Sequence, residues 1–342
     1  NLGYTFNEVK LDKISKIQKI NVPLKTNSSL DASNYFNLIQ KKTNQILKDK
    51  KIDIVFLSSD RFETFAFAIS SYLNKIPIAH YEGGDITEGG ALDDNIRHAI
   101  SKIANIHFTT NNDSKLRLIK MGEEKWRCFN VGYSPMHKIK NRKFNIQNVV
   151  KRFNINKKKP LILFTYHPIN STNTKFRYEL DQTFLSLRDL SKKDFQIIIT
   201  YPNFDPGHKD IIRKIKKLKN KSSNIRIVKH LGRENYHNLL NYIGKSNFGI
   251  CLGNSSSGIK EAVFFKCPTI NIGERQKSRL KPDNVIDVRP NRKEIVLSVL
   301  RNLKVKKELH NPYKVTPLFN NLSNILYKSL KKKNLLHKKN TH

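Results

Sequence analysis

From residue 52 onward, short apolar runs of strand length alternate with longer segments in which apolar residues recur at helical spacing. In the first block, the pattern predicts strands at 52–58, 76–81, 106–109 and 126–131 and helices at 61–74, 91–104 and 113–121. Gly122 and Gly132 stand at stop positions after a helix and a strand. This alternation is typical of an α/β domain.

A change in composition separates this block from a second one. Residues 133–159 contain Pro135, many Lys and Asn residues and only one short amphipathic stretch, which indicates a connection between domains. Beyond it, the pattern predicts strands at 161–166, 195–201, 225–230, 248–252 and 269–272 and helices at 177–190, 206–218, 234–245, 258–265 and 292–303. A last amphipathic segment, 317–330, precedes a basic tail that we expect to fray.

Two blocks of alternating strands and helices predict two α/β domains with parallel sheets. In such sheets, ligands bind beyond the carboxyl ends of the strands. Four unusual clusters lie there: Asp60, Glu82 with the following Gly83-Gly84-Asp85, His167-Pro168, and the Gly/Ser loop 253–258. We therefore expect the chemistry at these strand ends.

The Gly/Ser loop opens a predicted helix and suits a phosphate or pyrophosphate. The loop offers hydroxyl donors at Ser255, Ser256 and Ser257. The helix that begins at Gly258 offers free backbone N–H groups at its start. The alternative is an ordinary Ser-rich N-cap, although a cap needs only one such residue. Glu261 would lie one turn further on, placed to accept hydrogen bonds from ribose hydroxyls, or it is simply a first-turn acid.

Each remaining candidate also has a structural alternative. Asp60 and Glu82 could cap loops, and His167 could be a satisfied structural histidine. Asp93 and Asp94 are expected to precede the helical turns that carry Arg97 and His98, and N-capping is expected for at least one of the two acids. Arg97 could be a surface cation. Their shared position at strand ends favours the functional interpretation of the group as a whole.

Several classes of site find no support in the sequence. His80 and Glu82 have no third ligand nearby, so no metal site is expected. The chain contains no Gly-Lys-Ser/Thr of a Walker loop, no GxGxxG and no Gly-x-Ser-x-Gly. Its cysteines, Cys128, Cys251 and Cys267, are far apart and form no CxxC pair.

The 342-residue chain carries 64 Lys and Arg against 28 Asp and Glu, a net charge of +36. This charge raises the possibility of nucleic-acid binding. The basic residues are spread along the whole length without interleaved aromatic residues, and the chain is also rich in Asn and Ile. Lys, Asn and Ile share A/T-rich codons, so a biased genome would explain the excess. The charge would still favour anionic substrates.

No apolar run approaches the roughly 20 residues needed to span a bilayer. The chain begins at Asn1 and shows no signal-peptide pattern. We expect a cytoplasmic location and a chain that is a fragment.

Four motifs resemble the hydrolysing UDP-N-acetylglucosamine 2-epimerases, and in particular their sialic acid and nonulosonate branch. They are HYEGGDITEGGALDDNIRHAISKIANIHF (80–108), TYHP (165–168), GNSSSGIKEA (253–262) and INIGERQKSR (270–279). The resemblance extends from about Gly3 to the last helix. It implies two Rossmann-like domains that face a cleft, as in the glycosyltransferase-B architecture, here at 1–145 and 146–316. Residues 317–342 form a final helix, which is expected to pack back on the first domain, and a basic tail.

The resemblance also assigns roles to residues. It places the catalytic groups at Asp60, Glu82, Asp93 and His167, with Arg97 in the same motif as Asp93. The pyrophosphate loop corresponds to Ser255, Ser256, Ser257 and Gly258, and the ribose-binding acid to Glu261. Arg275 and Arg279 match an Arg-Gln-x-x-Arg stretch that is structural or close to the ligand.

Two departures from the family pattern matter. We expect the opening strand and its Gly-Ser/Thr-Arg loop to be absent, about 50 residues by the length of one or two βα units, so that the N-terminal domain lacks its first strand. We expect this chain alone to be poorly soluble and weakly active. Ser278 stands where the branch usually has Gly, which affects the local backbone.

The implied reaction releases UDP and a 2-epimerised free sugar, N-acetylmannosamine in the usual case, by elimination and hydration. No cofactor or metal is expected, and the resemblance implies a homodimer. The sequence leaves open the sugar, the nucleotide and which carboxylate removes the C2 proton. Two alternatives remain: a nucleotide-sugar glycosyltransferase of the same architecture, and a basic nucleic-acid-binding protein.

Overall fold

The computed structural model describes residues 16–22, 29–58, 60–87, 91–137, 142–169, 173–203, 207–220, 222–304 and 308–341, with Val9 and Ile139. Most of the predicted start of the first domain lies outside these residues. The chain divides into two compact units. The first unit comprises Lys16–Ile86, Ala91–His137 and Pro312–His342, and the second comprises Lys138–Asn311 with Asn1–Ser15 and Thr87–Gly90. The sequence analysis placed these divisions at 146 and 317.

The first unit contains a parallel sheet with strand order β1-β2-β3-β4. Its elements are α1 (Ser29–Lys48), β1 (Val55–Ser58), α2 (Phe62–Leu73), β2 (Ile78–Tyr81), α3 (Ala91–Ile103), β3 (Ile106–Thr109), α4 (Asn112–Lys120), β4 (Cys128–Asn130) and α11 (Leu322–Leu330). All residues of β2 and β3 are buried, as expected for central parallel strands covered on both faces.

The second unit contains a six-stranded parallel sheet with the order β10-β9-β8-β5-β6-β7. Its elements are α5 (Ile146–Arg152), β5 (Leu161–Thr165), α6 (Asn173–Lys192), β6 (Gln196–Thr200), α7 (His208–Lys219), β7 (Ile225–Val228), α8 (Gly232–Ser246), β8 (Gly249–Gly253), α9 (Ser256–Lys260), β9 (Thr269–Ile272), β10 (Val285–Val288) and α10 (Arg292–Arg301). From β5 the chain adds β6 and β7 on one side and then crosses to add β8, β9 and β10 on the other.

This crossing makes the space between β5 and β8 the topological switch point of the second unit. The two strands pair in parallel from Leu161 with Gly249 to Thr165 with Gly253. Ligands of open α/β sheets bind in the crevice at such a point, outside the carboxyl ends of the strands. The residues that follow Thr165 and Gly253 therefore lie where a ligand is expected to bind.

The predicted fold class, two Rossmann-like α/β units with parallel sheets, is confirmed. The helix predicted at 258–265 was wrong in detail, since α9 ends at Lys260 and a 3₁₀ helix follows at Ala262–Phe265. The prediction omitted β10, which is an edge strand with an exposed Ile286 and Asp287. None of the helices among the described residues is long and apolar enough to cross a membrane.

The tail that follows α11 is packed, which corrects the expectation that it frays. Arg127 is fully buried and donates through Nη1 to the carbonyl oxygen of Leu335 at 2.9 Å. The Lys338 Nζ lies 2.6 Å from Glu123 Oε2 and donates to the carbonyl of Ala104 at 2.8 Å, just beyond the end of α3. The tail therefore satisfies carbonyl groups at a helix end that would otherwise need another donor.

Candidate active site

His167 and Asn254 meet at the switch point of the second unit. The His167 backbone N–H donates to Asn254 Oδ1 at 2.7 Å, and Asn254 Nδ2 donates to the His167 carbonyl at 2.9 Å. The backbone N–H of Asn254 donates to the Thr165 carbonyl at 3.1 Å. Gly253 has φ +138°, and a Cβ there would lie 1.9 Å from the Thr165 oxygen. Only glycine therefore allows the two strand ends to come this close.

The His167 ring is held in one tautomer. Its Nδ1 accepts a hydrogen bond from the Asn203 backbone N–H at 3.1 Å, so that nitrogen carries no proton. Burial, and then the charge of Arg275, lower the pKa of His167 well below 6.5. The ring is therefore neutral at pH 7 and can offer the Nε2–H as a hydrogen-bond donor. His167 is only 7% exposed.

The Ser residues of the Gly/Ser loop directly follow Asn254. Ser255 caps α9 and its Oγ accepts from the Ser257 backbone N–H at 3.4 Å, while Ser256 and Ser257 are half-buried. Gly258 is buried, and a Cβ there would lie 3.1 Å from Thr269 Cγ2. Because α9 is only five residues long, hydroxyl and backbone donors, more than a long helix dipole, would serve an anion here.

Arg275 joins the same cluster. Its Nη1 donates to the Asn254 carbonyl at 3.2 Å, and so does Gln276 Nε2 at 3.2 Å. Arg279 is nearly buried in the same turn. Ser278 has φ +58°, in the left-handed region, which gives a physical reason for the glycine usual at this position.

Glu261 has a side-chain partner that the sequence did not indicate. His237 Nε2 lies 2.8 Å from Glu261 Oε2, and Arg142 Nη1 lies 3.1 Å from His237 Nδ1. The backbone N–H of Glu261 donates to the Ser257 carbonyl at 3.0 Å. The predicted ribose acid is thus fixed to the Gly/Ser loop through its backbone and to α8 through its side chain.

In the first unit, Arg97 gathers the acidic residues. It is 3% exposed and forms ion pairs with Asp60 and Asp94, and its Nη1 also donates to the Asp85 carbonyl at 2.9 Å. Burial acts to lower the pKa of Arg97, but the charges of Asp60, Asp85 and Asp94 outweigh it and raise the pKa. Arg97 is thus a buried cation that orients carboxylates, and the interpretation as a surface cation was wrong.

The other motif acids differ in their surroundings. Glu82 directly follows β2 with φ +70°, and its backbone N–H donates to the Phe108 carbonyl at 2.9 Å. Asp93 and Asp94 lie within the first turn of α3, not before it, so the predicted N-capping role was wrong. Asp94 forms the ion pair with Arg97. Glu88, Gly89 and Gly90 of the same motif lie outside the described residues.

Asp85 has a structural position. Its Oδ1 accepts from Ser114 Oγ at 2.7 Å and from Thr110 and Asn111 side chains at 3.2 Å each. These bonds tie the loop after β2 to the start of α4. Within the described part of the chain, no three His, Cys, Asp or Glu residues form a group that could hold a metal ion.

Three residues at these sites were missed by sequence reasoning: Asn254, His237 and Arg142. Asn254 lay inside a motif that we had quoted, but its partner is 87 residues away. The contact between His237 and Glu261 spans 24 residues and follows no spacing rule.

The family described as UDP-N-acetylglucosamine 2-epimerase matches residues 1–322. The GDP/UDP-N,N'-diacetylbacillosamine 2-epimerase (hydrolyzing) of Campylobacter jejuni is 36% identical over 288 residues, which cover 83% of this chain and 72% of that protein. The UDP-N,N'-diacetylbacillosamine 2-epimerase (hydrolyzing) of Legionella pneumophila is 32% identical over 287 residues, which cover 84% of this chain and 73% of that protein. In structure, the chain is similar to the UDP-GlcNAc 2-epimerase from Neisseria meningitidis, with a TM-score of 0.76 at 20% identity over 95% of this chain and 88% of that one.

Proposed function

The chain belongs to the UDP-N-acetylglucosamine 2-epimerase family, and from this premise we propose that it converts a UDP-linked 2-acetamido sugar to UDP and the free 2-epimerised sugar. The observation that carries the proposal is the neutral His167 ring, whose Nδ1 is held by the Asn203 backbone N–H and whose backbone is held by Asn254, the residue before the Ser255–Ser257 donors at the switch point. This arrangement offers donors suited to a leaving pyrophosphate.

The chemistry is an elimination followed by a hydration. A carboxylate removes the C2 proton while the bond from C1 to the pyrophosphate oxygen breaks, so UDP leaves and an unsaturated 2-acetamidoglucal remains. Water then adds at C1 and a proton returns to C2 from the opposite face. The sum is one water consumed, one UDP released and one sugar inverted at C2.

The residues of the two units supply different parts of this reaction in our proposal. Asp60, Glu82 and Asp93 are the candidates for proton transfer, with Asp60 oriented by Arg97. In the second unit, His167, Arg275 and the Gly/Ser loop support the charge that develops on the leaving group, and Glu261 accepts hydrogen bonds from the ribose.

For the sugar, we propose N,N'-diacetylbacillosamine, a 4-amino-6-deoxy relative of N-acetylglucosamine. The names of the Campylobacter and Legionella relatives support it. The simpler product, N-acetylmannosamine, is the alternative. We further propose that the product feeds nonulosonate biosynthesis.

The test supplies the chain with each UDP-sugar separately and follows UDP and free sugar by NMR. We expect equal amounts of UDP and 2-epimerised sugar, with kcat/KM at least about tenfold higher for the diacetylated sugar, as expected when a polar substrate group finds its partner. Transfer of the sugar only to an added acceptor would indicate a glycosyltransferase. Retention on nucleic acid with a steep salt dependence and no turnover would indicate a basic nucleic-acid-binding protein.

A further inference from the structure

A chain of three side chains ends on Glu261 in the second unit. Arg142 precedes α5, His237 lies on α8, and Glu261 lies between α9 and the following 3₁₀ helix. Arg142 Nη1 is 3.1 Å from His237 Nδ1, and His237 Nε2 is 2.8 Å from Glu261 Oε2. These distances correspond to two hydrogen bonds in series.

The direction of both bonds follows from the chemistry of the guanidinium. Arginine donates hydrogen bonds and cannot accept them, so His237 Nδ1 must be the acceptor. In the neutral imidazole the proton then lies on Nε2, which donates to the Glu261 carboxylate. Arg142 therefore selects the tautomer of His237 that can hold Glu261.

The surroundings keep the ring in place. His237 is 3% exposed, and its ring centroid lies 5.3 Å from that of Phe265. Phe265 packs edge-on against Phe144, at 5.3 Å between centroids. His237 uses one oxygen of Glu261, and among the described residues no hydrogen bond reaches Oε1. That oxygen is left to accept a ligand hydroxyl.

We propose that His237 is a positioning residue for ribose recognition, which acts by fixing the Glu261 carboxylate. The inference rests on the proposed function, in which Glu261 accepts hydrogen bonds from the ribose of UDP. A glutamate side chain loses rotational freedom when it is fixed. His237 and Arg142 fix it before the nucleotide arrives, so the nucleotide binds more tightly.

The experiment measures the Kd of the full chain for UDP and for 2'-deoxy-UDP by calorimetry. We expect wild type to prefer UDP. His237→Leu should weaken UDP binding about tenfold, as for loss of a hydrogen bond to a charged group, and bring the UDP and 2'-deoxy-UDP constants close together. His237→Gln, whose amide can donate to Glu261 and accept from Arg142, should restore the preference. KM should rise while kcat stays unchanged, as for a contact made equally in ground and transition states.

Two further variants complete the design. His230→Leu removes an exposed histidine whose Nδ1 accepts from the Gly232 backbone N–H, and it should leave both constants unchanged. Arg142→Met leaves His237 in place and frees its tautomer, so it should reduce the preference for UDP even if His237→Leu does not fold.

The outcomes separate the two proposals. Wild-type discrimination that persists in both His237→Leu and Arg142→Met would overturn the positioning role alone. A wild-type chain that binds neither nucleotide would overturn the proposed function and this inference with it. A fall in kcat at unchanged KM would also contradict positioning of a ribose contact.

Discussion

Asn254 and His167 bind each other through two hydrogen bonds that run in opposite directions, at 2.7 and 2.9 Å, between the ends of β8 and β5. Asn254 is fully buried, and its own carbonyl accepts from Arg275 and Gln276. One amide side chain therefore sets the position of the histidine, while its backbone anchors the arginine turn. The strand ends, the histidine and the Gly/Ser loop form one connected group.

Asn254→Ala should reduce kcat by about 10- to 100-fold, because the His167 backbone loses its partner and the ring loses its place. Stability should fall by about 1–3 kcal/mol for the buried groups left unsatisfied. Steady-state kinetics and denaturant unfolding measure the two effects. Asn284→Ala is the matched control, since Asn284 is also buried but donates to the Cys267 carbonyl at 2.7 Å. It should lose stability and keep kcat. Equal kinetic losses in both variants would contradict the role of Asn254.

His167 should make the protein less stable in mild acid. Its folded-state pKa lies below the unfolded value of 6.5, through burial first and Arg275 second. Above 6.5 both states are neutral and the group has no effect. As the pH falls below 6.5, only the unfolded state takes up the proton, so stability is lost at up to about 1.4 kcal/mol per pH unit until the lower folded pKa is reached.

The measurement compares the free energy of unfolding at pH 7.5 and 5.5 in wild type and in His167→Gln. The glutamine variant should lose less stability across this interval, and its kcat should be about 100-fold lower because the ring N–H donor is displaced. Identical pH dependence in the two proteins would show that His167 titrates normally in the folded state.

Arg97→Met should destabilise the first unit by about 3–5 kcal/mol, because Asp60 and Asp94 would lose their buried counter-ion. The stability of Arg97→Lys should lie between that of Arg97→Met and that of wild type, since an ammonium keeps the charge but not the fork geometry of the guanidinium. Arg213→Met is the control. Arg213 pairs with Asp210 at the surface, with 78% of its side chain exposed, and the change should cost about 0–1 kcal/mol. Denaturant unfolding measures the free energy of unfolding of each variant. Similar losses for Arg97→Met and Arg213→Met would contradict the role of Arg97 as a buried counter-ion.

The sequence predicted β3 and β9 with the bounds that the structure shows, because both are fully buried runs between clear turn residues. It missed α1, which lies before residue 52, where the alternation of strands and helices was first recognised, and β10, in which only Val288 is buried. Local pattern also placed Glu82 and His167 at strand ends. It could not find the partners of these residues, because the contacts of Asn254 and His237 join positions that only the fold brings together.

Lys338→Met should destabilise the first unit by about 3–5 kcal/mol, because Glu123 would keep a buried charge without this partner. Burial acts to raise the pKa of Glu123, but His107 and then Lys338 outweigh it and lower it to about 2. This contribution is present above the usual value of 4.5 and is lost as the pH falls toward 2. Lys339→Met is the control, since Lys339 is exposed and its backbone N–H, which the change keeps, donates to Glu124 Oε2 at 3.4 Å. Thermal melts of the two variants that coincide would contradict the packed tail.

The C2 hydrogen provides the most direct test of the mechanism. Elimination transfers this hydrogen to a carboxylate that exchanges with solvent, and hydration replaces it from the opposite face. A reaction run in heavy water should therefore yield a free sugar with deuterium at C2, together with an equal amount of UDP, both visible by NMR.

Glu82→Gln should slow this release by about 100-fold as a proton-transfer group is lost, whereas Glu63→Gln, at the first turn of α2, should not. A hydride route through a bound nicotinamide would return the original hydrogen, and a transferase would leave C2 neither labelled nor inverted. Full retention of protium at C2 in an epimerised product would refute the elimination.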